Sequence, residues 1–220
     1  MRMPNNSQTS SPTVSQMMKE GCAELHEQAE QSAVPQRMVS GTMTQPEFAE
    51  MTAQMSVWNA VLDHALRRHL DTVPAFKALI SDEQFQSQYY DADLKHHGID
   101  PATIQPSPAV EAMTRVVEQF ADENPLKLLG LHYVREGANN GNHYVAKKLR
   151  EAWGTTGAEG MRTLDPYGNQ QRKKWEQFKA TLDAQTWTDQ ERAMLLDAGK
   201  AAFEGIIAIH KDLEGSVASA

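Results

Sequence analysis

The chain has 220 residues, 40% of them hydrophobic, with a formal net charge of −8 and a single cysteine, Cys22. That length can bury a core without disulfides or a structural metal, and one cysteine excludes an intrachain bridge. The negative charge excludes sequence-independent nucleic-acid binding, which neutralises phosphates with lysine and arginine, and no run of about eighteen apolar residues is present to span a membrane. The N-terminal stretch carries no apolar segment of signal-peptide type, which with the lone cysteine points to a cytoplasmic location.

In chain order, residues 1–10 are polar and aperiodic and read as a disordered tail. Ser11 and Pro12 form an N-cap followed by proline at the first helical position, predicting a helix to about Ser32. Thr44 and Glu47 make a capping box, behind which Phe48, Met51, Met55, Trp58, Leu62 and Ala65 recur at spacings of three and four. Ser81 to Gln84 is a weaker box for a short helix, His96 to Pro106 reads as a loop, and Ser107-Pro108 starts another helix. Asn124-Pro125 caps a helix that runs to about Trp153 and ends at Gly154. Thr188 to Glu191 is the last box, opening a helix through Leu195, Ala198, Ala202 and Ile206.

No segment alternates with period two, so the fold class is all-α, with about seven helices. One folded domain is expected over 11–215, with a short tail at 216–220. Gly154 to Gln170 is a long connection, of a length that is often functional.

One helix breaks the local rules. The stretch from Glu136 to His143 holds Gly137 and Gly141 in its interior, each costing about 1 kcal/mol against alanine, with Asn139, Asn140 and Asn142 between good helix formers. A kink that lets backbone approach something bulky fits this pattern; so does a glycine-mediated crossing, or a helix that stops and restarts.

These residues also carry a resemblance. Lys19 to Glu30, with His26 near its end, resembles the first helix of heme oxygenases. Leu131 to His143, with Tyr133, Glu136, Gly137 and Gly141, resembles their distal helix, most closely in the bacterial, biliverdin-producing branch. Arg172 to Phe178 and Ala198 to Phe203 resemble the last two helices, so the similarity covers about residues 15 to 215.

The resemblance implies a single-domain multi-helix bundle with a kinked, glycine-containing distal helix. It implies heme b as both cofactor and substrate, dioxygen, and an external reductant such as a ferredoxin or a reductase. The products would be biliverdin, carbon monoxide and ferrous iron. His26 would be the iron ligand, with Glu30 one turn on to orient it. Lys19, about two turns before His26, and the cluster Arg172, Lys173 and Lys174 would meet the propionates. Tyr133 and Phe203 would complete the heme pocket. Gly137, Gly141, Asn140 and Asn142 would form the catalytic distal face, over which ordered water supplies protons. The sequence departs from the family where most members have adjacent glycines: here Asn142 follows Gly141. Ala138 stands where animal members carry an aspartate.

Other chemistries share this scaffold. A protein that binds or transfers heme without cleaving it would need the same His26. Non-heme diiron oxidases and thiamine-related hydrolases need other groups. His132 and Glu136 stand four apart on one helix, and Glu47, Glu50 and His64 lie on an earlier one, but no Glu-x-x-His pattern repeats. Cys22, the one candidate nucleophile, fits inert packing inside an apolar helix face better.

Overall fold

A computed structural model describes residues 11–217, with side chains through 215. The tail expected at 1–10 lies outside the described residues. Among those described there are ten α-helices and no strand.

The first expected helix begins two residues late and is divided. Thr13 is the N-cap: its hydroxyl accepts from the Gln16 N–H, and the Gln16 side chain accepts from the Thr13 N–H, completing a capping box that Ser11 lacks. Helix α1 (Val14–Gly21) bends at Cys22, where φ is −102° and ψ is 0°, into α2 (Ala23–Gln31). Extended Ser32 then precedes α3 (Ala33–Ser40), which ends at left-handed Gly41 with φ 72°. Pro35 explains the second break. A helix continuous through Ser32 would place its ring where an interior N–H is needed, whereas a restart at Ala33 puts it in the first turn.

The Thr44 box opens α4 (Gln45–His69) as expected. Pro74 opens α5 (Pro74–Leu79), and the Ser81 box yields only a 3₁₀ turn before α6 (Ser87–His96). Asp63 of α4 starts α6 by accepting both the N–H and the hydroxyl of Ser87 at 2.7 Å. Helix α7 (Pro108–Glu123) leads through a 3₁₀ turn at Pro125–Lys127 into α8 (Leu128–Trp153). Then come α9 (Gln171–Asp183) and α10 (Asp189–Val217). The tail expected from 216 therefore overlaps the last turn of α10. No helix of the described residues is long and apolar enough to cross a membrane.

The expected kink is not seen. Helix α8 runs uninterrupted across Gly137 and Gly141, with neither glycine at positive φ. Its first nine residues, Leu128 to Glu136, are buried, and that packing outweighs two glycine penalties of about 1 kcal/mol each.

The glycines that do set the architecture lie elsewhere. A Cβ on Gly130 would stand 2.5 Å from the Leu195 carbonyl oxygen and 2.7 Å from Ala198 Cβ, so α8 and α10 cross backbone to backbone. One on Gly199 would meet Met18 Cε at 2.6 Å, Cys22 Sγ at 3.3 Å and Val134 Cγ2 at 3.7 Å. Helices α1, α8 and α10 thus converge on Gly199. The long connection after α8 is pinned, not loose: the buried Asp93 carboxylate accepts the backbone N–H groups of Arg162 and Thr163 at 2.8 Å.

Gly130→Ala should lower the stability of the chain by about 2–3 kcal/mol, because a methyl at that crossing forces two backbones apart. Denaturant unfolding with an unchanged slope and a lower midpoint would register it; an unchanged midpoint would count against the close crossing.

Candidate functional site

From the Gly199 junction three elements lead outward. On α2, one turn past Cys22, stands His26; on α10, one turn past Gly199, stands Phe203; on α8, past Val134, lie Gly137 and Gly141. His26 meets the edge of Phe203, with ring centroids 5.5 Å apart at 76°. Its side chain is 56% exposed, and its Nδ1 lies 3.6 Å from Glu30 Oε2, longer than a hydrogen bond. Its Nε2 has no hydrogen-bond partner among the described residues, so a good metal-ligand atom is presented at the surface of α2.

Helix α8, buried on all sides through Glu136, opens one face after it. Ala138 and Gly141 are exposed, Gly137 is half-buried, and Tyr144 is 69% exposed. A Cβ on Gly141 would meet nothing within 4 Å, and one on Gly137 only the Trp175 ring at 3.5 Å, an ordinary contact. The result is a patch of bare helix backbone at Gly141, flanked by half-buried Asn140 and Asn142, with the Trp175 ring lying against Gly137 at its edge. A flat ligand can approach such a patch more closely than any side-chain-bearing surface.

The other residues singled out from sequence divide between free and committed side chains. Lys19, Arg172 and Lys173 are exposed cations on α1 and α9. Lys174 is committed to an ion pair with Glu83, its ammonium 5.4 Å from the centre of the Tyr167 ring. Tyr133 is buried, donates its hydroxyl to the Ser15 carbonyl at 3.2 Å and packs on Trp175 at 5.2 Å. Burial raises its pKa to about 12, and its two contacts make it a strut between α8, α1 and α9.

Beneath the open strip lies a buried polar layer in which sequence reasoning saw only His132 and Glu136, as metal candidates, and missed their partners. Arg135 donates to Asp63 Oδ1 at 2.7 Å, to the Gln84 carbonyl at 3.1 Å and to His132 Nδ1 at 3.0 Å. Glu136 accepts the Tyr167 hydroxyl at 3.0 Å, with the amides of Gln86 and Asn139 at 3.5 Å. Burial drives the His132 pKa well below that of an ordinary imidazole, and the Arg135 charge adds to the effect. Burial pushes Glu136 up to about 7, against the lowering pull of Arg135 and of its hydrogen bonds. One signal was available in the sequence: Asp63 follows Leu62 on the apolar stripe of α4, where a charge requires a partner.

The same geometry answers the diiron alternative. His132 and Glu136 are held by Arg135 and Tyr167, while Glu47 is held by its own cap and Arg37. Among the described residues no three His, Cys, Asp or Glu side chains converge to hold a metal. Cys22 is buried against Gly199, and burial raises its thiol pKa, which leaves it the poor nucleophile its packing suggests.

A family model described as heme oxygenase matches residues 12–212 of the chain. Among curated proteins the chain is similar to heme oxygenase 1 of Gallus gallus, 24% identical over 208 residues that cover 91% of this chain and 69% of that one. Among solved structures it is similar to heme oxygenase-2 from Synechocystis sp. PCC 6803 in complex with heme and NO. That match has a TM-score of 0.86 at 20% identity and covers 94% of this chain and 88% of the other. A TenA homologue from P. horikoshii OT3 shares the fold at a TM-score of 0.70 and 12% identity, over 92% of this chain and 98% of its own. The fold therefore hosts more than one protein family, and the side chains must select the chemistry.

The Glu136 carboxyl makes stability depend on pH. A folded-state pKa near 7, above the ordinary 4.5, favours folding below 4.5, and that contribution is lost as pH rises through 7. Relative to Glu136→Gln, the wild-type chain should lose on the order of 3 kcal/mol of unfolding free energy across that window. Parallel stability–pH curves for the two proteins would contradict the assignment.

Proposed function

The chain belongs to the heme oxygenase family, and from that premise we propose that it is a heme-degrading monooxygenase that opens the porphyrin ring to biliverdin, carbon monoxide and ferrous iron. Dioxygen is the co-substrate, and electrons come from an external donor such as a ferredoxin or a reductase. The observation that carries this reading is the pairing of an accessible imidazole on α2 with bare helix backbone at Gly141 on α8, both leading from one three-helix junction. The heme held by the cyanobacterial relative supports it.

The residues present fit a heme. His26 Nε2 is free to ligate, and around the missing Cβ of Gly141 there is open space to 4 Å. Heme b is the substrate, and when bound its iron supplies the redox chemistry and the activation of dioxygen.

The protein's own part is placement. His26 would ligate the heme iron, with its ring plane braced by Phe203 and Glu30 within reach of Nδ1. The backbone at Gly137 and Gly141 would face the bound heme from α8, where a close approach would limit where dioxygen can lie. Asn140 and Asn142 flank that strip with amides. Lys19, Arg172 and Lys173 are the cations free to meet propionates, while Lys174 is drawn away by Glu83. Tyr133 contributes by fixing α8 to α1 and α9.

Titration with hemin should give a sharp Soret band at one equivalent, and His26→Ala should shift or broaden it. Ascorbate in air should then bleach the wild-type band and raise absorption in the red. A Soret band indifferent to the His26 substitution, or one that survives reductant and dioxygen, would overturn the reading.

Gly141→Ala should separate stability from function. With nothing near its Cβ, the substitution should stabilise the heme-free chain by up to about 1 kcal/mol through helix propensity, yet slow ring opening. Unimpaired turnover in this variant would show that the bare strip is not the distal face.

A further inference from the structure

The acid beneath the distal strip suggests more than support. Glu136 is 2% exposed, and its carboxylate takes the Tyr167 hydroxyl on both oxygens, at 3.0 and 3.1 Å. Tyr167 comes from the long connection, not from a helix that packs on α8 along its length. A buried carboxyl with a hydroxyl donor across both oxygens, one residue before the glycine strip, is an expensive arrangement if it serves packing alone.

The helix geometry shows where that carboxyl leads. At about 100° per residue, Asn140 projects about 40° round from Glu136, on the way to Gly137 and Gly141 at about 100° and 140°. Opposite stands the start of α9. Helices α8 and α9 run antiparallel: Tyr133 packs on Phe178, and Gly137 faces Trp175. One more turn back along α9 is Gln171, which is 3% exposed and has both side-chain amide atoms buried without a partner. Buried amide groups normally have a polar partner, so Gln171 points to a polar ligand or bridging water at this step.

We propose that Glu136, coupled to Tyr167, is the proton-holding residue of the distal side, and that Asn140 and Gln171 mark the polar route from its carboxyl to the glycine strip. The proposal rests on the ring-opening reading above. In this step a proton leaves a Glu136 carboxyl oxygen toward dioxygen over the strip that electrons from the external donor have already reduced, and a proton from solvent replaces it; the O–H bond broken at the carboxyl is matched by the one formed on the reduced oxygen. Glu136 is buried among protein partners and acts through Asn140 and Gln171, so it is a positioning residue that stores a proton at a fixed place.

The groups that tune it come from every side. Arg135 of α8 lowers its pKa but is itself neutralised by Asp63 of α4. Tyr89 of α6 interacts with it electrostatically, and Gln84 and Gln86 bond it from the segment before α6. Tyr167 bonds it from the connection, with Lys174 of α9 over the Tyr167 ring and paired to Glu83. Desolvation outweighs these pulls and leaves the carboxyl titrating at about 7.

Two measurements on the full chain test this. Without heme, the infrared carbonyl band of a protonated carboxyl, identified by its loss in Glu136→Gln, should persist to about pH 7. Ionisation of Glu136 throughout the ordinary glutamate range instead overturns the proposal. With hemin bound, Glu136→Gln should keep the wild-type Soret band and affinity but slow single-turnover ring opening roughly a hundredfold. It should also erase the inflection near neutrality from the rate–pH profile, and Glu136→Asp should restore that inflection. Tyr167→Phe, which removes one pKa-lowering hydrogen bond, should move the inflection to higher pH. Wild-type rates and profiles in Glu136→Gln and Tyr167→Phe overturn this proposal while leaving ring opening standing. A wild-type chain that binds hemin and never opens it overturns the function itself, and this proposal with it.

Discussion

The backbone contact of α8 with α10 at Gly130, together with the seat for Met18 and Cys22 at Gly199, is the constraint on which the rest of the molecule depends. Two helices that touch without intervening side chains hold their crossing to within tenths of an ångström, because interiors are close-packed and resist displacement. Everything proposed for the site is measured outward from that junction by one or two helical turns: His26 along α2, Phe203 along α10, Gly137 and Gly141 along α8. A rigid junction with three arms that carry a ligand atom, an aromatic edge and a bare strip is a simple way to hold a large flat substrate in a set orientation. No dedicated rigid loop is then needed at the site itself.

The buried polar layer gives α8 a second kind of fixation. Asp63 joins the Arg135 guanidinium to the N-terminus of α6, and Asp93 joins α6 to the connection after α8. Glu136 and Tyr167 close that circuit. A long connection that would otherwise have to be ordered at the cost of its conformational entropy is thereby tied to the same helix that carries the distal strip. In low dielectric these bonds are strong when complete and costly when one partner is missing, which favours a single arrangement of the layer.

Much of this was legible in the sequence, for definite reasons. The boxes at Thr44 and Thr188 read correctly because capping is local: both partners lie within one turn. The start of α1 was misplaced because Ser11-Pro12 satisfies the proline rule, whereas Thr13 also gains the reciprocal bond from Gln16. The helix end near Ser32 was read correctly, but the break at Cys22 was hidden by continuous apolar spacing and the separate α3 beyond Ser32 was not foreseen, although Pro35 was a usable signal for it. Helix α8 stays continuous through Gly137 and Gly141 because propensity is a small term beside nine buried residues in one helix. Tyr167 could not be found from sequence, since its partner Glu136 is 31 residues away across an irregular segment. The site residues read by resemblance divide in the structure: His26, Phe203 and the glycine strip lead from one junction, while Lys174 and Tyr133 are committed elsewhere.

The central claim is that an imidazole at one arm and bare backbone at another orient a heme for its own oxidation. The most direct test is a single turnover of the hemin-loaded chain under isotopically labelled dioxygen, with the products identified by mass. The account predicts a linear tetrapyrrole carrying label, with one carbon monoxide released for each heme consumed. Intact heme recovered after reductant and dioxygen have been supplied would contradict it.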